Sequence, residues 1–490
     1  MKTITKYRVQ ILFLLVMAVQ AVWIWHSDGF YFIDDSCHFN YNRHFIETYN
    51  YSIGSWHRIG RVWLFAIPAQ FGLKGVQIAS ALLFLLTIYI CYRILKHKNV
   101  RYAEWVIPIA AFQPVLFNIS YTTLAELPAA FLIVLSYYFY LKDKYKWVML
   151  SSSLIFIFRT EFYFVAGLFL LIYLYQKKWK ALLLFLVGPL IWYLYSTIIS
   201  WSPNQFFYDM ALHSRLPRIE EGIDWFFYLV TSPKIYGFVQ TLFFIVALIY
   251  ILASKRLKEY AILLLIIFGG IAVHTLLAVK GLNLSCSIGQ LRYVAIVGPA
   301  FAIISTVGIS WLYEKIKISS VKVVLKVIFL AVMFFLGPFS TPYHNKYEIE
   351  KVSDKIAELV RTKYPDYMVL SNLHYVANAM DQPASGGRKF QNLTPENIKK
   401  YHKAIIVWEK SLETSPFFEG EREPLKQIES NPAVRLLETF RVDVNNCTSM
   451  PLYAFRKEDY ESRYSRAFID YMIKDQTTWE NIDIKVFVKE

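Results

Sequence analysis

Residues 9–35 read VQILFLLVMAVQAVWIWHSDGFYFIDD, an apolar run that ends in two adjacent aspartates, Asp34 and Asp35. A bilayer is crossed by about 20 apolar residues, so the run is long enough to span a membrane. Because it lacks a small-residue cleavage site, we interpret it as a retained membrane helix rather than a signal peptide. The aspartates are therefore predicted to lie at a membrane boundary, where ionised carboxylates usually have a partner or a task.

The composition is that of a polytopic membrane protein, since 56% of the 490 residues are hydrophobic and 18% are aromatic. We predict about eleven membrane-spanning runs. They cover residues 9–26, 75–95, 102–119, 123–141, 147–158, 160–175, 180–200, 235–253, 260–278, 292–313 and 322–338. The fifth and sixth runs are short and meet at Arg159-Thr160-Glu161, which favours helices that do not fully cross or that line a cavity.

The net charge of +15 is distributed as in a membrane protein and not as in a nucleic-acid-binding protein. Basic clusters follow the even-numbered runs, as the positive-inside rule expects of cytoplasmic loops. They contain Arg93/Lys96/Lys98/Arg101, Lys142/Lys144/Lys146, Lys177/Lys178/Lys180, Lys255/Arg256/Lys258 and Lys315/Lys317/Lys322. With Lys2, Lys6 and Arg8 before the first run, this predicts a cytoplasmic amino terminus and places the aspartate pair outside. We find no helix-turn-helix, zinc-finger or RNA-binding signature.

Three segments are predicted to lie on the outer side: a first loop of residues 27–74, a second loop of residues 201–234, and a tail of residues 339–490. The tail is more charged and has mixed periodicity. Its residues 369–371 and 405–408 predict buried strands, and residues 348–363, 394–402 and 458–474 predict helices. We therefore predict a membrane domain of residues 1–338 followed by a soluble, extracytoplasmic α/β domain of residues 339–490.

The four cysteines are Cys37, Cys91, Cys286 and Cys447, and they contain no CxxC pair. This pattern indicates neither a disulfide framework nor a zinc site. Three of them are predicted to lie outside, where a bridge and free buried thiols are both open.

The aspartate pair admits three interpretations. One carboxylate is able to act as a general base towards a hydroxyl nucleophile. Two carboxylates are also able to hold a divalent cation, although hard cations require more oxygen ligands than two side chains supply. Taken alone, the dipeptide is better explained as a helix cap beside a solvated loop.

Several cationic side chains are predicted to gather on the same side of the membrane. Arginine forks match phosphate oxygens in a bidentate way, so these residues are candidates for binding a phosphate-linked donor. The candidates are Arg58, Arg61, Arg159, Arg215, Arg218, Lys280 and Arg292, with His57 and His213 as substrate-binding candidates. For most of them snorkelling at the end of a span is the better explanation. Arg159 differs, because its neighbours are apolar and Glu161 is too close in sequence to be an obvious helical partner.

Some other polar residues in apolar surroundings are also substrate-binding candidates. Glu126 begins the fourth run, where helix capping explains it adequately, and it is a secondary candidate beside Glu161 and Tyr293. His274 lies within an apolar run and is interpreted as a hydrogen-bonded interior residue rather than a ligand.

These features together resemble the GT-C superfamily of integral membrane glycosyltransferases. The acidic pair follows the first span, and residues 55–68, SWHRIGRVWLFAIP, are similar to a stretch of polyprenyl-phosphate-mannose-dependent mannosyltransferases. Residues 124–128, LAELP, and 158–161, FRTE, resemble segments of that family and of family-39-like bacterial transferases. Residues 290–293, QLRY, resemble their late Arg-Tyr motif. The oligosaccharyltransferase signature Trp-Trp-Asp is absent.

The resemblance implies transfer of a sugar, with inversion, from a polyprenyl-phosphate donor to a hydroxyl of a glycan, lipid or protein. The family has Asp-Glu or a single Asp where this chain has Asp-Asp. By position Asp34 is the expected base, with Asp35 second. Arginines would hold the leaving phosphate, so no cofactor and no metal are required, although a divalent cation stays open. The general style of the chain favours a bacterial inner membrane with a periplasmic tail.

Two other functions compete with the glycosyltransferase interpretation. A non-catalytic transporter or flippase of polyprenyl-linked glycans would use the same cations, but transporters place ionisable residues near the midplane and often have repeated halves. A metal-dependent phosphotransferase would bring a His/Asp-rich soluble domain, whereas His344, His374 and His402 are spread without ligand spacing. We rank the glycosyltransferase first and the transporter second.

Overall fold

The structure is a computed structural model that describes residues 7–31, 33–47, 58–215, 223–279, 290–341, 343–384, 386–409, 425–446 and 478–490. Helices dominate the apolar part of the chain. They are α1 Arg8–His26, α2 Ile33–Arg43, α3 Ile59–Ala69, α4 Gly72–His97, α5 Val106–Ala111, α6 Pro114–Ile119, α7 Glu126–Leu141, α8 Tyr145–Ser153, α9 Phe164–Tyr175, α10 Lys180–Phe185, α11 Val187–Ser200, α12 Gln205–Arg215, α13 Phe227–Val230, α14 Ser232–Tyr236, α15 Phe238–Ala253, α16 Leu257–Ala278, α17 Leu291–Ala295, α18 Gly298–Lys315 and α19 Ser319–Leu336.

Within the described ranges, α1, α4, α16 and α19 are long and apolar enough to cross a membrane. Shorter apolar helices lie between them, among them α3, α7, α11 and α15. The predicted run 102–119 is broken into α5 and α6, because Pro114 begins α6 and holds the preceding Gln113 in an extended conformation. The total of about eleven spans therefore stays a prediction.

Helix α18 lies at the centre of the apolar part and is buried on all sides over residues 298–310. It packs against α4, α5, α7, α15 and α16. Gly308 allows the closest of these approaches, since a Cβ there would stand 2.1 Å from the carbonyl oxygen of Phe243 on α15. A side chain at residue 308 would therefore separate the two helices.

The described part of the tail contains helices α20 Glu348–Lys363, α21 His374–Ala379, α22 Pro395–Lys400 and α23 Leu425–Ser430. Its strands are β1 Met368–Ser371, β2 Phe390–Gln391, β3 Ala404–Glu409, β4 Val434–Asn446 and β5 Thr478–Lys489. They form one sheet in the order β2-β1-β3-β5-β4. Strand β1 runs parallel to β2 and β3, and β5 runs antiparallel to β3 and β4.

Most of the local predictions for the tail are confirmed. Strands β1 and β3 contain the predicted runs 369–371 and 405–408, and every residue of β3 is buried. Helix α20 matches the predicted residues 348–363. The predicted helix 394–402 is shorter because Thr394 is its N-cap and accepts a hydrogen bond from the Asn397 amide. The predicted helix 458–474 lies outside the described residues, and the domain boundary after residue 338 stays a prediction.

Candidate functional site

Six charged side chains form a chain of ion pairs in which positive and negative groups alternate. In order they are Asp34, Arg292, Glu126, Arg159, Glu161 and Arg58. All six were singled out from the sequence as site candidates, and the structure brings them together. With three cations and three carboxylates, the chain is neutral when every group is ionised.

Glu126 lies at the middle of this chain and receives both neighbouring arginines on one oxygen. Its Oε1 is 2.7 Å from Arg159 Nη2 and 3.4 Å from Arg292 Nε. Arg292 Nη2 also donates a hydrogen bond to Asp34 Oδ2. Glu126 is thus an ion-pair partner and not merely a helix cap, and Arg292 connects it to Asp34.

The other half of the chain is built at a break in the apolar helices. Arg159 has an extended backbone between the 3-10 turns Leu154–Ile157 and Thr160–Phe162. Because the chain is not helical there, the Glu161 carboxylate is able to turn back, and its Oε1 lies 3.2 Å from Arg159 Nη1. Arg58 Nη2 lies 3.5 Å from Glu161 Oε2. Glu161 is therefore a partner of Arg159 through a non-helical backbone, although it is not an obvious helical partner.

Exposure differs along the chain of ion pairs. The side chains of Glu126 and Arg292 are 4% exposed, whereas that of Asp34 is 17% exposed. Buried ions need well-placed partners because their desolvation is costly. Asp34 is therefore the member of this chain that a substrate in the surrounding space reaches most easily.

Tyr293 packs against the two central arginines. Its ring centroid lies 4.6 Å from Arg159 Cζ and 5.3 Å from Arg292 Cζ. The His274 ring stacks on it at 5.3 Å and also contacts Phe162. His274 is buried, as predicted for an interior histidine. Among the described residues, however, neither of its nitrogens has the predicted hydrogen bond, and its ring contacts hold the side chain. Cation–π contacts of this kind fix the guanidinium planes.

Asp35 has a different environment from its neighbour Asp34. It is 1% exposed, and Oδ1 accepts hydrogen bonds from the Thr123 amide at 2.7 Å and hydroxyl at 2.6 Å. The Tyr31 amide donates to Oδ2 at 3.0 Å. Burial raises the pKa of Asp35 above its ordinary value, although these hydrogen bonds oppose the shift. Asp35 thus fastens α2 to the loop before α7.

Arg61 has hydrogen-bond partners other than the six residues of the chain of ion pairs. It is fully buried, and its Nη1 donates to the His38 carbonyl at 3.1 Å and to Asn42 Oδ1 at 3.0 Å. These contacts tie α3 to α2 and give Arg61 a structural role, and its assignment as a phosphate ligand stays a prediction. The spacing in the arginine-bearing segment did not distinguish it from Arg58.

Several predicted candidates are not placed by the structure. His57, Arg218 and Lys280 lie outside the described residues, as do Cys286 and Cys447. His213 and Arg215 belong to α12, and their side chains also lie outside the description. Cys37 and Cys91 are buried free thiols. Among the described residues, no group of three His, Cys, Asp or Glu side chains is placed to hold a metal ion.

The tail forms hydrogen bonds and an ion pair with one face of α2, a contact that the sequence did not predict. Asn40 Nδ2 on α2 donates to Asn378 Oδ1 at 2.8 Å, and Asn378 Nδ2 donates to the Ser36 carbonyl at 3.0 Å. The Ala384 amide donates to Asn40 Oδ1 at 2.8 Å. Arg43 and Asp381 form an ion pair at 3.1 Å. The helix that carries Asp34 is thus held on one side by Thr123 and on the other by the tail.

Asn378→Asp is expected to destabilise the protein by about 1–3 kcal/mol, because a carboxylate oxygen would face the Ser36 carbonyl in place of a donor. Thermal unfolding of the detergent-purified protein measures the loss. The exposed Asn392→Ala is the control and should unfold as the wild type does. Equal unfolding temperatures for Asn378→Asp and the wild type would show that the tail does not fasten α2.

Glu350 forms a second connection between the tail and the aspartate segment. Its Oε2 accepts the Tyr347 amide at 2.9 Å and its Oε1 accepts the Phe30 amide at 3.4 Å. Burial raises the pKa of Glu350 to about 8, because desolvation outweighs the two amide hydrogen bonds. The side chain therefore keeps its proton in the folded protein at a pH where the unfolded chain has lost it.

The pH dependence of stability follows from that shift. Between pH 4.5, the ordinary pKa of a glutamate, and about 8, unfolding releases the Glu350 proton, so stability falls as pH rises. The loss is at most about 1.4 kcal/mol per pH unit. We expect Glu350→Gln to flatten this slope in unfolding temperatures measured from pH 5 to 8, and the exposed Glu358→Gln on the same helix to leave it unchanged. An unchanged slope in Glu350→Gln would contradict the assignment.

Comparison with known proteins identifies the fold. No protein-family model matches the chain, and no curated protein matches it. ArnT from Cupriavidus metallidurans bound to undecaprenyl phosphate superposes with a TM-score of 0.59 at 10% identity, covering 83% of this chain and 94% of that chain. Its apo state superposes with a TM-score of 0.60 at 10% identity, covering 84% and 94%. The likeness shows the fold alone: the chain has the helical fold that ArnT has.

Proposed function

We propose that this protein is an inverting glycosyltransferase that moves a sugar from a polyprenyl-phosphate-linked donor to a hydroxyl acceptor. The observation that carries the proposal is the Asp34–Arg292 ion pair at the accessible end of the buried chain of ion pairs. It joins a potential base to a potential phosphate ligand. The ArnT structure that holds undecaprenyl phosphate supplies the class of donor.

Arg292 would bind the donor phosphate. A phosphodiester carries one negative charge, and a guanidinium binds its oxygens in a bidentate way. Arg292 now donates to Asp34, so an arriving phosphate competes with that carboxylate for the same donors. When Arg292 turns to the phosphate, the Asp34 carboxylate is left to accept a hydrogen bond from the acceptor hydroxyl. Glu126 keeps the guanidinium in place during the exchange, since it also pairs with Arg159.

The chemical step then needs no further group. Asp34 takes the proton of the acceptor hydroxyl, and that oxygen forms a bond to the anomeric carbon from the face opposite the phosphate. The bond between the anomeric carbon and the phosphate oxygen breaks, and its electron pair stays on the phosphate. Arg292 stabilises the charge that develops there. The products are an inverted glycoside and polyprenyl phosphate, and the proton stays on Asp34 until it passes to water.

The donor sugar and the side of the membrane are part of the same proposal. Mannose or another hexose follows from the resemblance to mannosyltransferases. The positive-inside pattern supports a cytoplasmic amino terminus and an outer tail. The general style of the chain favours a bacterial inner membrane, where that tail is periplasmic. The acceptor is a hydroxyl of a protein, a lipid or a glycan at that outer face.

Release of free polyprenyl phosphate from synthetic polyprenyl-phosphate sugars tests the function. The purified wild-type protein in detergent would be incubated with each donor and cell-envelope acceptors. We expect release with one donor, which names the sugar, and none without acceptor. Binding of the lipid without release from any donor would instead favour the transporter or flippase.

A further inference from the structure

A basic cavity lies at the end of the helices opposite to the chain of ion pairs. It has a volume of about 480 Å³ and is lined by Tyr89, Tyr92, Arg93, Lys96, His97, Tyr138 and Lys142. The first five belong to the last turns of α4, Tyr138 belongs to the last turn of α7, and Lys142 directly follows α7. We call this set of seven residues the basic cavity.

The position of the basic cavity follows from α7, which connects the two sites. Glu126 of the ion-pair chain is the first residue of α7, and the cavity lies at the other end of the same 16-residue helix. At 1.5 Å per residue the two ends are about 24 Å apart, close to the hydrocarbon thickness of a bilayer, which is about 30 Å. The basic cavity therefore lies at the opposite membrane boundary, which the positive-inside pattern makes cytoplasmic.

The side chains of the basic cavity have an excess of positive charge. Arg93, Lys96 and Lys142 are cations, and none of the seven lining residues is acidic. Arg93 Nη1 donates to the Tyr89 hydroxyl at 2.7 Å, and Lys142 Nζ lies 3.2 Å from His97 Nδ1. Hydrogen bonds to neutral groups orient these cations without neutralising them. The helix C-termini offset part of the charge, worth less than one unit for each helix.

We propose that the basic cavity binds the phosphate headgroup of an anionic phospholipid in the cytoplasmic leaflet. A phosphodiester offers negatively charged oxygens to Arg93 and the two lysines, and the tyrosine rings suit the interface between headgroups and acyl chains. The cavity falls within the 300–1,000 Å³ typical of small-molecule sites. Arg93, Lys96 and Lys142 are exposed, so a lipid headgroup reaches them from the surface. This site is separate from the donor site and does not depend on the proposed transferase activity.

Native mass spectrometry of the full-length protein tests the proposal. The protein would be extracted from nanodiscs of phosphatidylcholine that contain phosphatidylglycerol as a minor component. We expect the wild type to retain phosphatidylglycerol preferentially. The triple variant Arg93→Gln/Lys96→Gln/Lys142→Gln should lose that retention by about tenfold or more, since each cation near a charged surface contributes to lipid binding.

A matched control separates a site from general surface charge. Lys255→Gln/Lys258→Gln/Lys317→Gln removes the same charge from exposed residues of the same predicted side that do not line the cavity. It should retain phosphatidylglycerol as the wild type does. Equal loss in the control, or equal retention of both lipids by the wild type, would overturn the proposal. So would binding of inorganic phosphate in place of the lipid. The single variant Lys96→Gln provides a second test if the triple variant does not fold.

Discussion

Asp34→Asn is expected to lower the rate of polyprenyl-phosphate release by about 10²–10⁴-fold, the usual contribution of a general base. The amide has nearly the shape of the carboxylate but cannot take the proton of the acceptor hydroxyl. Stability should change little, because Arg292 keeps its ion pair with Glu126 and Asp34 is the most exposed acid of the chain of ion pairs. Release rates with the cognate donor and unfolding temperatures of the same preparations measure both effects.

Asp35→Asn is the matched control and should show the opposite pattern. Both carboxylate oxygens of Asp35 accept hydrogen bonds from Thr123 or Tyr31. An amide therefore places a donor against a donor whichever way it is turned, at a cost of about 1–3 kcal/mol. We expect a lower unfolding temperature and, in the folded fraction, a smaller loss of activity than in Asp34→Asn. Full activity in Asp34→Asn would exclude this residue as the base.

The membership of the ion-pair chain was predictable from the sequence, but its pairing was not. Glu126, Arg159 and Glu161 interrupt apolar runs, and a charge in such a setting is costly enough to indicate a partner or a task. The Arg159–Glu126 pair joins residues 33 positions apart, and no local pattern predicts such a contact. The Arg159–Glu161 pair depends on a backbone that leaves the helix, which helical spacing does not predict.

The tail shows the same division between local and distant information. The short buried strands β1 and β3 were predicted because continuous β-branched and apolar runs indicate central strands. The longer strands β4 and β5 were missed, since residues 434–446 and 478–489 mix charged and apolar side chains and are stabilised by pairing with each other. The hydrogen bond between Asn40 and Asn378 joins residues that are 338 positions apart in the sequence. The residue type alone did not distinguish the role of Arg61 from that of Arg58. The roles differ because Arg61 is buried against α2, whereas Arg58 pairs with Glu161.

Arg292→Gln is expected to slow transfer strongly and to destabilise the fold, because it removes the group that connects Asp34 to Glu126. Breaking a buried ion pair costs about 3–5 kcal/mol when one charge is left without its partner. Here the cost should be lower, since Glu126 keeps Arg159 and Asp34 is partly exposed. Loss of phosphate stabilisation should lower release by about 10²–10³-fold.

The double variant Asp34→Asn/Arg292→Gln separates these two effects of Arg292. It removes both members of the pair, so no isolated charge remains and the unfolding temperature should recover part of what Arg292→Gln loses. Activity should not recover, because both the base and the phosphate ligand are absent. Recovery of activity together with stability would show that Arg292 serves the fold alone. Wild-type activity in Arg292→Gln alone would show that the donor phosphate binds elsewhere. The exchange of Arg292 between Asp34 and phosphate would then have no part in the reaction.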